Sequence, residues 1–239
     1  MKLNTTDIEK LKTALTVSRI VGIELAVLRD GKILGVNDKR DAAIISRLEL
    51  SCSAEIKVGI GRVDELTKRV SLFGDGVEAE LKVNDKSEVS QITLSAGRTK
   101  LQFRCTSMSL LDRKYPQENA DTEAVVVTFT RGEITQLAQG ARTLGAENIV
   151  VKVDRAGTVH AECADSNNDR FALVLEKQAE FVVEPESIVF VYRADLLANL
   201  LSNAAKDQDE VSVVIGEGGS LTCLLKGHSL IIMPQATGE

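Results

Sequence analysis

The side chains able to do metal or nucleophilic chemistry are few and scattered. Four cysteines, Cys52, Cys105, Cys163 and Cys223, and two histidines, His160 and His228, are the soft ligands of this 239-residue chain. The cysteines form no C-x-x-C pair and sit in apolar or strand-like contexts, which reads as reduced core thiols. Neither histidine has a second ligand three or four residues away, so a histidine-based metal site is not expected. Asp165 and Asp169 flank Ser166-Asn167-Asn168, but a calcium loop needs oxygen ligands at alternate positions and then a glutamate, whereas this one runs into Arg170-Phe171. A polar loop is the ordinary explanation, with a metal or acid/base site as the alternative. Gly216-Glu217-Gly218-Gly219 precedes an apparent strand, Ser220 to Leu225, so it makes a hairpin turn and offers no helix N-terminus to a phosphate. No Gly-x-Ser-x-Gly or Cys/His nucleophile signature occurs. The chain therefore reads as a non-enzyme with no catalytic residue, no metal and no cofactor.

The remaining chemistry is that of charge. The formal net charge of −6 argues against nucleic acid if taken alone. Its distribution says more. Four helical segments, residues 6–20, 61–72, 131–145 and 193–206, hold ten bases (Lys10, Lys12, Arg19, Arg62, Lys68, Arg69, Arg131, Arg142, Arg193 and Lys206) against six acids (Asp7, Glu9, Asp64, Glu65, Glu133 and Asp195). The acids fall in first turns, where free N–H groups and the helix dipole favour them. At 100° per residue, Leu11 with Ile8, Ala14 and Leu15 forms one apolar stripe; Leu66 with Val63, Val70 and Phe73 forms a second. In the last helix the stripe is Leu196, Leu197, Leu200 and Ala204, leaving Ala198, Ser202, Ala205 and Lys206 outward. Lys12, Thr13, Thr16 and Arg19 fall on other faces of the first helix, Lys68 points almost directly away from the core in the second, and Arg69 flanks it. Two readings stay open: dipole complementation on a solvated face, or a surface of small and basic residues that passes near phosphates without gripping bases. An aromatic content of 3% disfavours base stacking.

The elements that must carry these residues occur twice. Arg62-Val63-Asp64-Glu65-Leu66 is echoed by Arg193-Ala194-Asp195-Leu196-Leu197 at a spacing of 131 residues. Asp7-Ile8-x-x-Leu11 is echoed by Glu133-Ile134-x-x-Leu137 at a spacing of 126. A repeat of this length implies two similar domains, each with its own core. In the first half the pattern predicts a helix over Thr6 to Arg19; strands over Gly22 to Leu28, Lys32 to Val36, Ala42 to Leu50 and Ser53 to Ile60; and a helix over Arg62 to Phe73 stopped by Gly74-Asp75-Gly76. Strands over Val77 to Val83, Glu88 to Leu94 and Lys100 to Cys105 close it. Leu110 to Thr122 has no period and reads as a linker. The second half repeats the order: strand Ala124 to Thr130, helix Gly132 to Gly145, strands Asn148 to Asp154, Thr158 to Ala164, Arg170 to Lys177 and Glu186 to Tyr192, helix Ala194 to Lys206, then strands and glycine turns to Met233-Pro234. The expected domains are residues 1–109 and 123–239, joined by a linker over 110–122, in an α+β class with two helices on an antiparallel, strand-rich sheet in each.

Bulk composition fits a globular protein, with 44% hydrophobic and 27% charged residues and a mean hydropathy near zero. No apolar run approaches a membrane span, and Met1-Lys2-Leu3-Asn4-Thr5-Thr6-Asp7 enters a helix instead of a signal sequence, so no membrane is expected and the cytoplasm is the expected location.

This duplicated order of helix, hairpin, strands, helix and meander resembles the DNA polymerase sliding clamps, in particular the T-even-type phage clamps and the proliferating cell nuclear antigen family. Met1-Lys2-Leu3 with Leu11-Lys12 is similar to the phage clamp start, and Ile231-Ile232-Met233-Pro234-Gln235 is similar to the tail of the cellular clamps; the architecture carries most of the likeness. The linker is shorter and less hydrophobic than in the cellular family, and the acidic tail is shorter.

The resemblance implies a head-to-tail homotrimer encircling double-stranded DNA without sequence specificity, a processivity factor for a DNA polymerase that is placed on DNA by a clamp loader and acts in the cytoplasm, the host's if the source is viral. It implies DNA-facing positions at Lys10, Lys12, Arg19, Lys68, Arg69, Arg142 and Lys206. It places a partner groove at Val36, Ile44, Ile45, Leu110, Leu111, Ile231, Met233 and Pro234; plain core or strand packing is the alternative for each, equally good for Ile44, Ile45 and Ile231 and weaker for Leu110 and Leu111, an apolar pair that opens a polar linker or pins it to the sheet. Lys100 to Thr106 of one copy and Arg170 to Lys177 of the next are the expected joining edges. A DNA-associated factor that forms no ring, or a duplicated β-rich structural protein that does not touch DNA, are the other classes the pattern allows.

Overall fold

Two capping boxes begin the first helix of each half, and they explain the repeat seen at 126 residues. Asn4 accepts the Asp7 N–H through its side chain while the Asp7 carboxylate accepts the Asn4 N–H; Thr130 and Glu133 do the same. In the computed structural model, which describes residues 1–51, 56–73, 76–111, 115, 118–175, 178–183 and 187–235, these boxes start helices α1 (Thr5–Ile20) and α3 (Arg131–Leu144). The second echo marks the other helix pair: Arg62 and Arg193 are the N-cap residues of α2 (Val63–Ser71) and α4 (Ala194–Ala204).

The chain divides into two compact units, Met1–Asn119 with Lys226–Ser229, and Ala120–Leu225 with Leu230 onward. In the first, strands β1 (Lys2–Leu3), β2 (Ala26–Arg29), β3 (Lys32–Val36), β4 (Ala42–Arg47), β5 (Lys57–Ile60), β6 (Glu78–Val83), β7 (Glu88–Ala96) and β8 (Thr99–Arg104) surround α1 and α2. Neighbours run β4-β3-β2-β5 and β1-β6-β7-β8, joined where β5 meets β7 in parallel, Val58 beside Val89. The second unit holds β9 (Glu123–Thr130), β10 (Asn148–Val153), β11 (Val159–Ala164), β12 (Arg170–Leu175), β13 (Ala179–Phe181), β14 (Ile188–Arg193), β15 (Glu210–Gly216), β16 (Leu221–Leu225) and, from Leu230 on, β17 (His228–Ile232). Here the neighbours run β12-β11-β10-β14 and β13-β9-β15-β16-β17. The class is α+β, and the two-helix, strand-rich plan is met in both units.

Helices pack in pairs, α1 beside α2 and α3 beside α4, and each pair lies on its own unit's sheets. The predicted stripes are the buried ones: Ile8, Leu11, Ala14 and Leu15; Val63, Leu66, Val70 and Phe73; Leu196, Leu197, Leu200 and Ala204. Ala205 is a correction, because it is buried where an outward position was expected. The helix ends at Ala204, so the 100° projection no longer applies to Ala205, which caps it with αR backbone. Strand β2 starts at Ala26 instead of Gly22, since Gly22 at φ +72° ends α1 in a turn. Strand β4 ends at Arg47 instead of Leu50, β14 begins at Ile188, and α4 stops short of Lys206. Strands β1 and β13 were not expected. Cys52, Ser53, Gly74, Asp75, Glu176, Lys177 and Glu186, which entered the expectations above, lie outside the described residues.

The would-be chemical groups have structural employment. Cys163 and Cys223 are buried, and Cys105 half-buried, all as free thiols. Burial pushes Cys105 up to about 12 and Cys223 up to about 11. Asp165 Oδ1 accepts the N–H groups of Asn167 and Asp169 at 2.9 and 2.8 Å, which is an Asx turn between β11 and β12. Gly216–Gly219 turns β15 into β16, and Asp121 braces that turn by accepting from Gly218 N and Ser220 N. His228 is buried with Nδ1 2.5 Å from the Ser46 hydroxyl.

Candidate nucleic-acid interface

A surface for phosphates needs bases on the sides of the helices turned away from the sheets. In the first unit, α1 presents Lys10, Lys12, Thr16 and Arg19, with Thr16 exposed between the charged positions. Arg19, in the last turn of α1, reaches Asp64 in the first turn of α2 at 2.5 Å, and Lys68, one turn further along α2, closes on the same carboxylate. One acid therefore lies between two bases from two helices. The ammonium of Lys68, hydrogen-bonded to it, and the Arg19 guanidinium hold the Asp64 carboxyl below the usual carboxylate range. Each charge also complements the dipole of its own helix end. Lys12 pairs with Glu9 at 3.6 Å, and Lys10 donates to the Glu49 carbonyl at 2.7 Å.

Arg69 is placed differently. Its guanidinium pairs with Glu65 at 3.1 Å and lies 5.3 Å above the Phe103 ring on β8, with Arg62 on the same ring at 5.2 Å. Two guanidiniums thus cover the buried Phe103 beside strand β8.

In the second unit the outer faces of α3 and α4 carry mostly uncharged polar groups: Thr135, Gln136, Gln139 and Thr143, then Asn199, Ser202 and Asn203. Arg142 is exposed and, among the described residues, has no ion-pair partner. Lys206 donates to the Asn203 amide oxygen at 2.8 Å. Arg131 pairs with Asp209 at 3.2 Å, and Asp195 is paired with Arg193. Six of the seven basic positions therefore lie in helices and Lys206 just past the C-cap of α4, and they differ in what holds them.

The expected groove residues separate by unit and by face. In the first unit Leu111 and Tyr115 are buried with Val27 and Leu34, and Leu25, Val36, Ile45 and Met108 pack against that cluster. The chain leaving β8 thus lies across β2, β3 and β4, through a 3₁₀ turn at Met108–Leu110. Val36 and Ile45 are only half-buried there, so apolar surface remains open beside the strap. Ile44 is a correction: it is 0% exposed on the opposite, core side of β4, because neighbouring strand residues alternate faces. Leu110 is 77% exposed while Leu111 is 5% exposed, so the pair divides between solvent and sheet. In the second unit Ile231 is buried, Met233 exposed and Pro234 half-buried, and the Gln235 N–H donates to the Val191 carbonyl at 2.7 Å. Tyr115 was missed because a lone aromatic among Asp, Arg, Lys and Pro carries no period.

Two edges complete the picture. Among the described residues and within their units, β8 pairs with β7 alone, and β12 with β11 alone. Both were the expected joining strands. Strand β8 and the turn before it are basic, with Arg98, Lys100 and Arg104 exposed and no acid between them, whereas β12 exposes Arg170, Ala172 and Val174.

No protein-family model matches this chain, and no curated protein matches it. Solved structures do. A PCNA2–PCNA3 complex from Sulfolobus tokodaii aligns at TM-score 0.67 and 18% identity, covering 99% of this chain and 100% of that one. Entamoeba histolytica PCNA aligns at TM-score 0.71 and 11% identity over 98% of both chains. The A. fulgidus PCNA bound to the C-terminal region of FEN-1 aligns at TM-score 0.68 and 13% identity over 100% of this chain and 99% of that chain. The DNA polymerase sliding clamp of Pseudomonas aeruginosa matches at TM-score 0.68 and 12% identity, with 65% of its chain covered. At such identities the likeness is one of architecture, and by that architecture the chain has the DNA clamp fold of the PCNA structures and the bacterial sliding clamps.

Proposed function

We propose that this protein is a sliding clamp: copies join head to tail into a ring around duplex DNA and tether a polymerase to it. The observation that carries the reading is the duplicated unit itself, each copy with a helix pair packed on its sheets, and with the unlike strands β8 and β12 among those that have a neighbour on one side alone. Unlike edges make a heterologous contact, which closes into a ring if its rotation closes. Three two-unit chains, a homotrimer, would set six similar units around the duplex. In that ring Lys10, Lys12, Arg19, Lys68, Arg142 and Lys206 face the phosphates, with Arg69 at the flank. Contacts of this kind give weak, sequence-independent and salt-dependent attraction, which suits sliding.

The protein acts as a scaffold and no bond is made or broken. Partner segments from a polymerase or a clamp loader dock on the apolar surface left beside Leu111 and Tyr115, where Val36 and Ile45 stay half-buried. On the first unit Leu110 adds exposed apolar surface, and on the second Met233 and Pro234 offer apolar surface of their own. Among the described residues no helix is long and apolar enough to cross a membrane. The domains proposed are residues 1–109 and 123–239 with 110–122 between them.

Light scattering over a concentration series tests the reading. A species of three times 25.8 kDa is the expected result. A chain that stays monomeric at high concentration overturns the closed ring.

A further inference from the structure

The two units neutralise their bases differently, and the difference has a consequence for how DNA is held. In the first unit Arg19 and Lys68 share Asp64 and Lys12 is paired with Glu9, while Lys10 meets the neutral Glu49 carbonyl. In the second, Arg142 has no ion-pair partner among the described residues, and Lys206 meets only a neutral amide. The repeat makes the contrast positional. At the 126-residue offset Arg19 corresponds to Gly145, and Arg142 corresponds to Thr16. At the 131-residue offset Asp64 corresponds to Asp195, which is taken by Arg193, and Lys68 corresponds to Asn199. Among the described residues, the bridge across the helix pair is therefore found in the first unit and not in the second.

A base that already has a carboxylate partner gains little from a phosphate, because the new contact replaces the old one. We propose that Asp64 is a built-in counterion that weakens the grip of the first unit on DNA, so that Arg142 and Lys206 of the second unit, with Lys10 of the first, carry the standing phosphate contacts. Arg19 and Lys68 engage a phosphate only as Asp64 gives one of them up, and exchange of one anion for another keeps the path along the duplex shallow. Asp64 is thus a positioning residue that acts through the two bases. The inference rests on the reading of the chain as a DNA clamp.

The test is binding of a short fluorescent duplex to the full-length protein by anisotropy, over a salt series. Asp64→Asn is expected to tighten binding about three- to tenfold at low salt and to steepen the log–log salt slope by about 0.9 for each base that gains a phosphate. Glu80→Gln, which removes one negative charge from an exposed strand position, is the control for net charge. The gain from Asp64→Asn is expected to vanish in an Arg19→Gln, Lys68→Gln background, and Arg142→Gln is expected to weaken the otherwise unchanged protein more than that pair does. Thermal unfolding of each variant checks that the helices remain packed. If Asp64→Asn matches Glu80→Gln, or if the Arg19, Lys68 pair matters more than Arg142, the counterion role is overturned while the clamp stands. If none of the proteins binds the duplex at low salt, the DNA reading falls and the inference with it.

Discussion

Asp7 shows how much one side chain can hold and how little of that the sequence declares. Its place in the capping box is legible, since an Asn and an Asp three residues apart before an apolar run is a helix start. Its second task is not. The same carboxylate, 2% exposed, accepts the Ser51 N–H at 2.8 Å and the Ser51 hydroxyl, tying the loop after β4 to the start of α1 across 44 residues of sequence. Burial pushes the Asp7 carboxyl up, but the hydrogen bonds from Ser51 and Asn4 and the nearby Lys10 outweigh it and hold the group below its ordinary value. A carboxylate depressed in the folded state adds stability above its unfolded pKa near 4, and that stability is lost as pH falls through the lower folded value. Asp7→Ala should therefore cost about 1–3 kcal/mol at neutral pH and flatten the loss of stability below about pH 4, read from urea midpoints at several pH values. An unchanged pH profile would remove Asp7 from the account.

At the scale of elements, periodic patterns were readable and short or borrowed pairings were not. Four helices and most strands follow from stripes and alternation, as Leu66 with Val70 and Glu78–Val83 illustrate. Strands of two and three residues, Lys2–Leu3 and Ala179–Phe181, are too short to show a period and exist because β6 and β9 offer them a ladder. The strap after β8 is the same case. Thr106 donates its N–H to the Gly59 carbonyl at 2.8 Å, and a Cβ on Gly59 would stand 2.2 Å from the Thr106 carbonyl oxygen, a backbone atom that cannot turn aside. Gly59→Ala should cost about 1–3 kcal/mol, because the strap or β5 has to shift. Leu111→Ala should cost about 2–5 kcal/mol by opening a cavity against Val27 and Leu34, and should speed hydrogen exchange in the strap first. If both variants unfold at the wild-type urea midpoint, the strap is not packed as described. The partly covered apolar surface was half legible for the same reason: Val36 and Ile45 alternate correctly, while Ile44 and Tyr115 needed the fold to assign them.

At the scale of the whole molecule, the ring reading makes a demand on charge that can be reversed deliberately. An edge strand can join another copy by its backbone, so side chains beside it decide which edge it accepts. The β8 edge carries Arg98, Lys100 and Arg104 without an acid, and β12 exposes the small, uncharged Ala172 and Val174. Joining β8 to β8 would set like charges side by side, whereas β8 against β12 meets no such repulsion apart from Arg170. Ala172→Lys with Val174→Lys should therefore lower the mass seen by light scattering towards that of one chain, most strongly at low salt, where screening is weakest. Adding Lys100→Glu and Arg104→Glu to that same chain turns the repulsion into attraction and should restore the larger species. Both doubly substituted faces are exposed and away from the cores, so each variant should unfold at the temperature of the unchanged monomeric unit. Recovery in the fourfold variant requires that β12 of one copy sits beside β8 of the next, which is the head-to-tail contact. A mass indifferent to both changes would mean that copies of this chain join elsewhere or not at all.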